Sequence, residues 1–243
     1  MENKIKYLGL IPARKGSKGF VGKNKHVLLD KPLIEYSIHA TKKSRIDFIL
    51  LSTDDEDIIA IGKANGIHVP FVRPEYLSND GASQIDVIKH ALEWFYSAYH
   101  YYPESVLILQ PTSPLRTFED INNALSIYES KQLESLISVC KVSQHPAECL
   151  LVDEDGNHQF INLPKKSETA GRQSYYDSFF IDGGIYISKT EKFLKTSKFY
   201  DKDTYLFEVP KSHAIDIDDS FDMYLAKAIL HYARNVDSNI LEY

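Results

Sequence analysis

Apolar and polar positions along the chain follow two alternating rhythms. Short apolar runs at residues 7–11, 48–51, 106–109 and 136–142 read as strands, and the run at 106–109 is apolar throughout, the pattern of a strand buried on both faces of a parallel sheet. Between these runs apolar residues recur at every third or fourth position, the period of a helix, over 33–38, 56–65, 85–99 and 117–131. The helix ends carry matching chemistry. Pro32 suits an early helical position, Ser52-Thr53-Asp54-Asp55 makes a good helix start, Gly66 stops that helix, and Thr117-Phe118-Glu119-Asp120 resembles a capping box. Residues 68–72 read as a further strand, and the strand pattern returns at 181–187. Strands alternating with helices predict a doubly wound, mostly parallel α/β sheet, with ligand sites where strands end and loops begin.

From 143 to 180 the rhythm breaks. Polar stretches replace the periodic segments, and Asp155-Gly156 suggests a hairpin turn. Phe160, Tyr175, Tyr176 and Phe179 fit an interface, a lid or a private small core about equally well. The expected organisation is therefore an α/β domain from 1–142 and 181–243, with 143–180 inserted.

The 243 residues suit one domain with or without an insertion, and 43% hydrophobic against 26% charged content is that of a soluble globular protein. The apolar runs are far too short to span a membrane, and the run at 7–13 is too brief for a secretory signal, so the expected location is cytoplasmic. Cys140 and Cys149 lack metal-type spacing and read as buried or idle thiols.

Charge changes the picture at one place. The chain has a formal net charge of −6, yet no acidic residue occurs between Asn3 and Leu29. There the first strand gives way to a loop with Gly16, Gly19 and Gly22 and the basic residues Arg14, Lys15, Lys18 and Lys23. Glycines let backbone N–H groups approach an anion, and the lysines supply charge; with Ser17 and Asn24 added, the loop reads as a phosphate site. A solvated turn is the plainer reading for one lysine and one glycine, but not for the whole set. Neither a Walker A loop nor a dinucleotide fingerprint fits, because the glycine spacing is wrong for both. Confinement of the basic cluster to one loop on an acidic chain argues against nucleic acid as a partner.

Two other clusters stand out. Gln110-Pro111-Thr112-Ser113-Pro114-Leu115-Arg116 follows the fully apolar strand at its exit; a rigid connection explains the prolines but not Gln110. In Ile215-Asp216-Ile217-Asp218-Asp219, strand alternation points Asp216 and Asp218 to the same side, which calls for a cation between them; Mg²⁺ shared with nucleotide phosphates is the usual one. Asp219 and Ser220 read as the acidic start of the last helix.

Ile11-Pro12-Ala13-Arg14-Lys15-Gly16-Ser17-Lys18-Gly19 with Lys23-Asn24, then Ser52-Thr53-Asp54, Arg73-Pro74, the Gln110–Arg116 run and Ile215-Asp216-Ile217-Asp218 together resemble the acylneuraminate cytidylyltransferases. The resemblance runs from about residue 8 to 225. The related Kdo cytidylyltransferases are less similar, their first loop lacking the Gly-Ser-Lys-Gly continuation. The resemblance implies a nucleotidyltransferase-type fold and an enzyme that couples CTP to a nine-carbon 2-keto sugar acid, sialic acid or a bacterial relative such as legionaminic acid, releasing pyrophosphate with Mg²⁺ present. It implies that Arg14, Ser17 and Lys18 hold the CTP phosphates, with Asn24 on the ribose and Arg73, Ala82, Ser83 and Gln84 against the cytosine. Gln110 would contact the sugar, with Tyr186, Phe199 and Tyr200 around its acylamino groups. Arg172 would bind the sugar carboxylate across a homodimer interface made by the insertion, and Asp216 and Asp218 would hold the metal. Arg14, Lys18 and Asp218 would be the residues of the chemical step, and no histidine falls in a motif to serve as base. Two departures face the sugar. Asp182-Gly183-Gly184 stands where the sialate enzymes commonly read Asn-Gly-Ala, and Glu148 stands where they carry a lysine. A nucleotide-binding protein without catalysis would not need Asp216 and Asp218. A nucleotidyltransferase for another sugar would show a different glycine pattern in its first loop. A Ser-His-Asp hydrolase lacks its nucleophile elbow.

Overall fold

A computed structural model describes residues 4–16, 22–167 and 172–236. In chain order its elements are β1 Tyr7–Pro12, β2 Val27–Leu28, β3 Lys31–Pro32, α1 Leu33–Lys43, β4 Phe48–Ser52, α2 Glu56–Ala64, α3 Gln84–Tyr99, β5 Ser105–Ile108 and α4 Phe118–Ser130. They continue as β6 Ser135–Lys141, β7 Leu150–Val152, β8 His158–Phe160, β9 Phe179–Lys189, α5 Thr190–Thr196, β10 Tyr205–Glu208 and α6 Ser220–Asn235. Six strands form one sheet in the order β10-β6-β9-β5-β1-β4. Every neighbour pair is parallel except those of β9, which runs against both β5 and β6.

The sheet is covered on both faces, which is why residues 106–108 of β5 and 8–11 of β1 carry no polar side chain. Along β1, Tyr7 and Ile11 turn to the side packed by Ile34 and Ile38 of α1, Ile58 of α2 and Ile121 and Leu125 of α4. Leu8 and Leu10 turn to the other side, against Ile88, Leu92 and Phe95 of α3 and Phe193 of α5. A third cluster joins Leu28, Leu33, Tyr36 and Leu115 to Ile217 and to Met223 and Leu230 of α6. It anchors the acidic segment ahead of α6 beside the loop that leaves β5. The caps behave as their residue types dictate: Thr117 and Asp120 exchange side-chain and backbone bonds at the start of α4, and Asp219 and Asp222 do the same at α6.

Two predicted strands do not form as such. The run at 68–72 is reduced to a single parallel bridge between His68 and Leu50, because Pro70 has no N–H to continue the ladder and Val72 is exposed. Residues 215–219 form no strand; they are held by loop contacts described below. β9 begins earlier than the pattern suggests, at Phe179, and is interrupted by a bulge.

Between β6 and β9 lie a one-turn helix at Pro146–Glu148 and the hairpin β7–β8, which turns at Asp155-Gly156 with Gly156 at φ +84°. His145 ties the segment down. Its Nδ1 accepts from the Ala147 N–H at 3.2 Å, which leaves the proton on Nε2 to donate to the Tyr176 carbonyl at 3.0 Å. The hairpin's Leu150, Leu151, Val152 and Phe160 are all exposed.

Glu129 fastens α4 to β1: it accepts from Lys6 Nζ at 2.7 Å and from the Tyr7 hydroxyl at 2.6 Å, with Arg45 at 3.2 Å. Hydrogen bonds from Lys6 and then Tyr7 hold its carboxyl far below the ordinary value of 4.5, at about 2. A folded value below the unfolded one means stability that is complete above the ordinary glutamate range and is lost as pH falls from about 4.5 toward about 2. Glu129→Gln is expected to flatten that acid limb in urea titrations at pH 6 and pH 3, and an unchanged slope would show that the cluster does not couple to folding.

Candidate active site

The carboxyl ends of β1, β4 and β5 open into one cleft of about 560 Å³. It is lined by Arg14, Gly16, Lys23 and Asn24 from the basic loop, Arg73, Asn79, Asp80, Ala82 and Gln84 from the connection into α3, Gln110 and Thr112 beyond β5, and Asp218. A parallel sheet puts these ends together, so three sequence clusters far apart in the chain meet in one place.

Each wall has its own construction. Asn24 is buried and donates through Nδ2 to the Arg14 carbonyl at 3.2 Å, while its Oδ1 is buried with no hydrogen-bond partner among the described residues. Arg14 pairs with Asp80 across the cleft mouth at 2.8 Å. Lys23 reaches over to the acidic segment, donating to the Ile217 carbonyl at 2.8 Å and to Asp218 at 3.0 Å. Arg73 is buried, and its guanidinium is bonded to the Ser52 hydroxyl at 3.0 Å and to the Ser52 carbonyl. Burial pushes its value down to about 10, so it is a framework cation with one edge on the cleft. Ser83 caps α3, accepting from the Ile85 N–H at 3.1 Å.

Asp216 and Asp218 differ in setting. The Ile217 N–H donates to the Thr112 carbonyl at 2.8 Å, which fixes the segment against the β5 exit without any strand. Asp216 is partly buried, with Oδ1 shielded from water and unpartnered among the described residues, whereas the Asp218 side chain is 78% exposed. Burial pushes the Asp216 carboxyl up; a hydrogen bond from Thr112 opposes that, and the Asp218 charge adds to it. A carboxylate oxygen left unpartnered beside a second acid suits a divalent cation. No histidine, cysteine or further acid completes a metal cluster around them among the described residues, so other oxygens would have to fill the remaining positions.

A second cavity of about 470 Å³ adjoins the first through Gln84 and is walled by Ile88, Tyr186, Phe199 and Tyr200. The Tyr186 ring lies 6.2 Å from Phe199 and 6.4 Å from Tyr200, and burial pushes its phenol up to about 12, so it faces this cavity as a neutral hydroxyl. Among the expected residues, Arg14, Asn24, Arg73, Ala82, Gln84, Gln110 and Asp218 line the cleft and Ser83, Tyr186, Phe199 and Tyr200 the adjoining cavity, Gln84 is shared by both, and Asp216 lines neither. Glu148 is exposed in the one-turn helix between β6 and β9 and lines neither. Ser17 and Lys18 lie outside the described residues, as does the side chain of Arg172. Lys23, Asp80 and Thr112 were not singled out as site residues; Lys23 was visible only as one more charge in the basic loop, and the other two meet the cleft through tertiary contacts.

The sheet is that of a nucleotidyltransferase fold: the structure of a CMP:2-keto-3-deoxy-manno-octonic acid synthetase complexed with CTP superposes with a TM-score of 0.65, at 18% identity, covering 93% of this chain and 98% of that one. A family model described as Cytidylyltransferase matches residues 8–228, and the chain belongs to that family. It is 32% identical over 93% of its length to the CMP-N,N'-diacetyllegionaminic acid synthase of Legionella pneumophila, of which it covers 97%. It is 33% identical, also over 93% of its length, to an N-acylneuraminate cytidylyltransferase of Escherichia coli, and spans only 52% of that relative.

Proposed function

We propose that this chain couples CTP to a nine-carbon 2-keto sugar acid, sialic acid or a bacterial relative such as legionaminic acid, giving the CMP-sugar and pyrophosphate in the cytoplasm. One observation carries the reading: the basic loop, the Arg73–Gln84 segment, Gln110 and Asp218 line one cleft at the strand ends of a cytidylyltransferase. The names of the relatives, a diacetyllegionaminic acid synthase and an N-acylneuraminate cytidylyltransferase, support the sugar class.

In the proposed reaction the anomeric hydroxyl of the sugar attacks the α-phosphorus of CTP and pyrophosphate leaves. Arg14 and the loop residues Ser17 and Lys18 bind the phosphates, so charge that grows on the leaving oxygens is met by their positive charge. Asn24, whose Oδ1 is free to accept, orients the ribose, and the Ala82–Gln84 turn lies along the base. Mg²⁺ held by Asp216 and Asp218 would neutralise phosphate charge when bound. Lys23 would keep Asp218 turned into the cleft. Gln110 and the Tyr186, Phe199 and Tyr200 wall hold the sugar, with its acylamino groups in the second cavity.

A homodimer built through residues 143–180 completes the proposal. The uncovered apolar side chains of β7 and β8 support it, and Arg172 and Glu148 would then meet the sugar of the partner's site. Deleting the turn at Asp155-Gly156 is expected to lower both association and activity; an active monomer by light scattering at assay concentration would contradict the shared site.

Pyrophosphate release from CTP against a panel of nine-carbon 2-keto sugar acids tests the activity. Legionaminic-type acids are expected to exceed N-acetylneuraminic acid in kcat/KM by at least about tenfold, ~1.4 kcal/mol, because the Glu148 carboxylate would accept from the additional amino or acylamino N–H groups such sugars carry. Lys18→Ala and Asp218→Asn should each lose about 10²–10³ in rate with unchanged circular dichroism and melting. Near-normal release by either variant would remove that residue from the chemical step.

A further inference from the structure

β9 does not pair evenly with β6. Tyr186 stands opposite Ile137, but two positions further along β6 the partner of Val139 is Ile181, so residues 182–185 face Ser138 alone. The excess chain forms a bulge, and the missing ladder bonds are replaced by side chains. Ser138 Oγ accepts from the Ile185 N–H at 2.7 Å and donates to the Asp182 carboxyl, which is 2% exposed. The backbone N–H groups of Asp182 and Gly184 also turn toward that carboxyl. The carboxyl bends back into space that Gly184 leaves open: a Cβ on residue 184 would lie 2.7 Å from Asp182 Oδ2 and 3.3 Å from Ser138 Oγ, so the carboxyl would have to shift.

The bulge points at the cleft. Gly183 at its apex has φ +74°, and a Cβ there would lie 3.6 Å from Asp216 Oδ2 and 3.7 Å from Gln110 Oε1. The Gly184 carbonyl accepts from buried Arg116 at 2.8 Å, and the same nitrogen donates to the Gln110 carbonyl at 3.1 Å. Two residues on, Tyr186 enters the wall of the second cavity. We propose that Asp182 is a positioning residue: its buried carboxyl, folded back through the space Gly184 leaves open, holds the bulge that sets Asp216, Gln110 and Tyr186 relative to one another. The kinetic consequences rest on the cytidylyltransferase reading above, and the placement itself does not. The base side of the cleft, built by Arg73 and residues 79–84, has no contact with this device among those described.

Four variants test it. Asp182→Ala removes the carboxyl, and Gly184→Ala drives a methyl into it. Each is expected to lower kcat at least tenfold and raise the KM for the sugar, with the Kd for CTP within twofold of wild type. In Asp182→Ala/Gly184→Ala the carboxyl that the methyl would strike is gone and only the milder approach to Ser138 Oγ at 3.3 Å is left, so the double variant should be no worse than the poorer single one, where independent damage would multiply. Asp182→Asn keeps an acceptor for Ser138 and should retain kcat within about threefold. Hydrogen exchange reads the same coupling without turnover: both single variants should speed exchange at 110–112 and 215–218 as well as 182–186, leaving 73–84 unchanged. Exchange confined to 179–186, multiplicative losses in the double variant, or CTP affinity falling in step with kcat would each overturn the proposal. A wild-type chain inactive with every sugar acid would overturn the functional reading instead, and the exchange pattern would still decide the role of Asp182.

Discussion

The buried guanidinium of Arg116 is the contact on which the rest of the site depends. It is 2% exposed and donates to the Gln110 carbonyl beyond β5, to the Gly184 carbonyl on β9 and to the Ser37 hydroxyl of α1. Ser37 Oγ in turn donates to the Gln110 carbonyl at 3.1 Å, so four groups close into one network. Buried polar groups are tolerable only when such a network satisfies them, and a satisfied one fixes a single arrangement. Here it locks the strand that leads to Gln110 against the antiparallel strand that brings Gly183 toward Asp216.

Charge in the cleft follows from that frame. Asp216 is placed where its ionisation is unfavourable, by burial first, with the Asp218 charge adding to it. Lys23 compensates from the opposite wall, crossing from the basic loop to the segment ahead of α6. A cation between the two acids would relieve the same tension.

Much of this was legible in the pattern of residues, for physical reasons that differ from element to element. β1 and β5 were legible because burial on both faces leaves a run of apolar residues, 8–11 and 106–109, and α4 because Thr117 and Asp120 spell out their own cap. The run at 68–72 misled because its apolar character reflects packing of Phe71 against the α3 side of the sheet, while Pro70 denies it a ladder. Asp216 and Asp218 could be singled out as a pair, yet their unequal burial is set by the Ile217 bond to Thr112, a contact across about a hundred residues that no local pattern encodes. Arg116 looked like the last letter of a ligand motif and turns out to be framework. Asp182 looked like a substrate-facing departure and is buried under Gly184.

Calorimetric titration of CTP with and without Mg²⁺, on the wild-type chain and Asp216→Asn, tests most directly whether this cleft holds a metal-bearing cytidine nucleotide. Wild type should bind CTP at one site per chain, at least about tenfold more tightly with Mg²⁺ than without, a difference of ~1.4 kcal/mol, and Asp216→Asn should lose that difference. Equal affinity with and without the cation, or a Mg²⁺ effect untouched by Asp216→Asn, would contradict it.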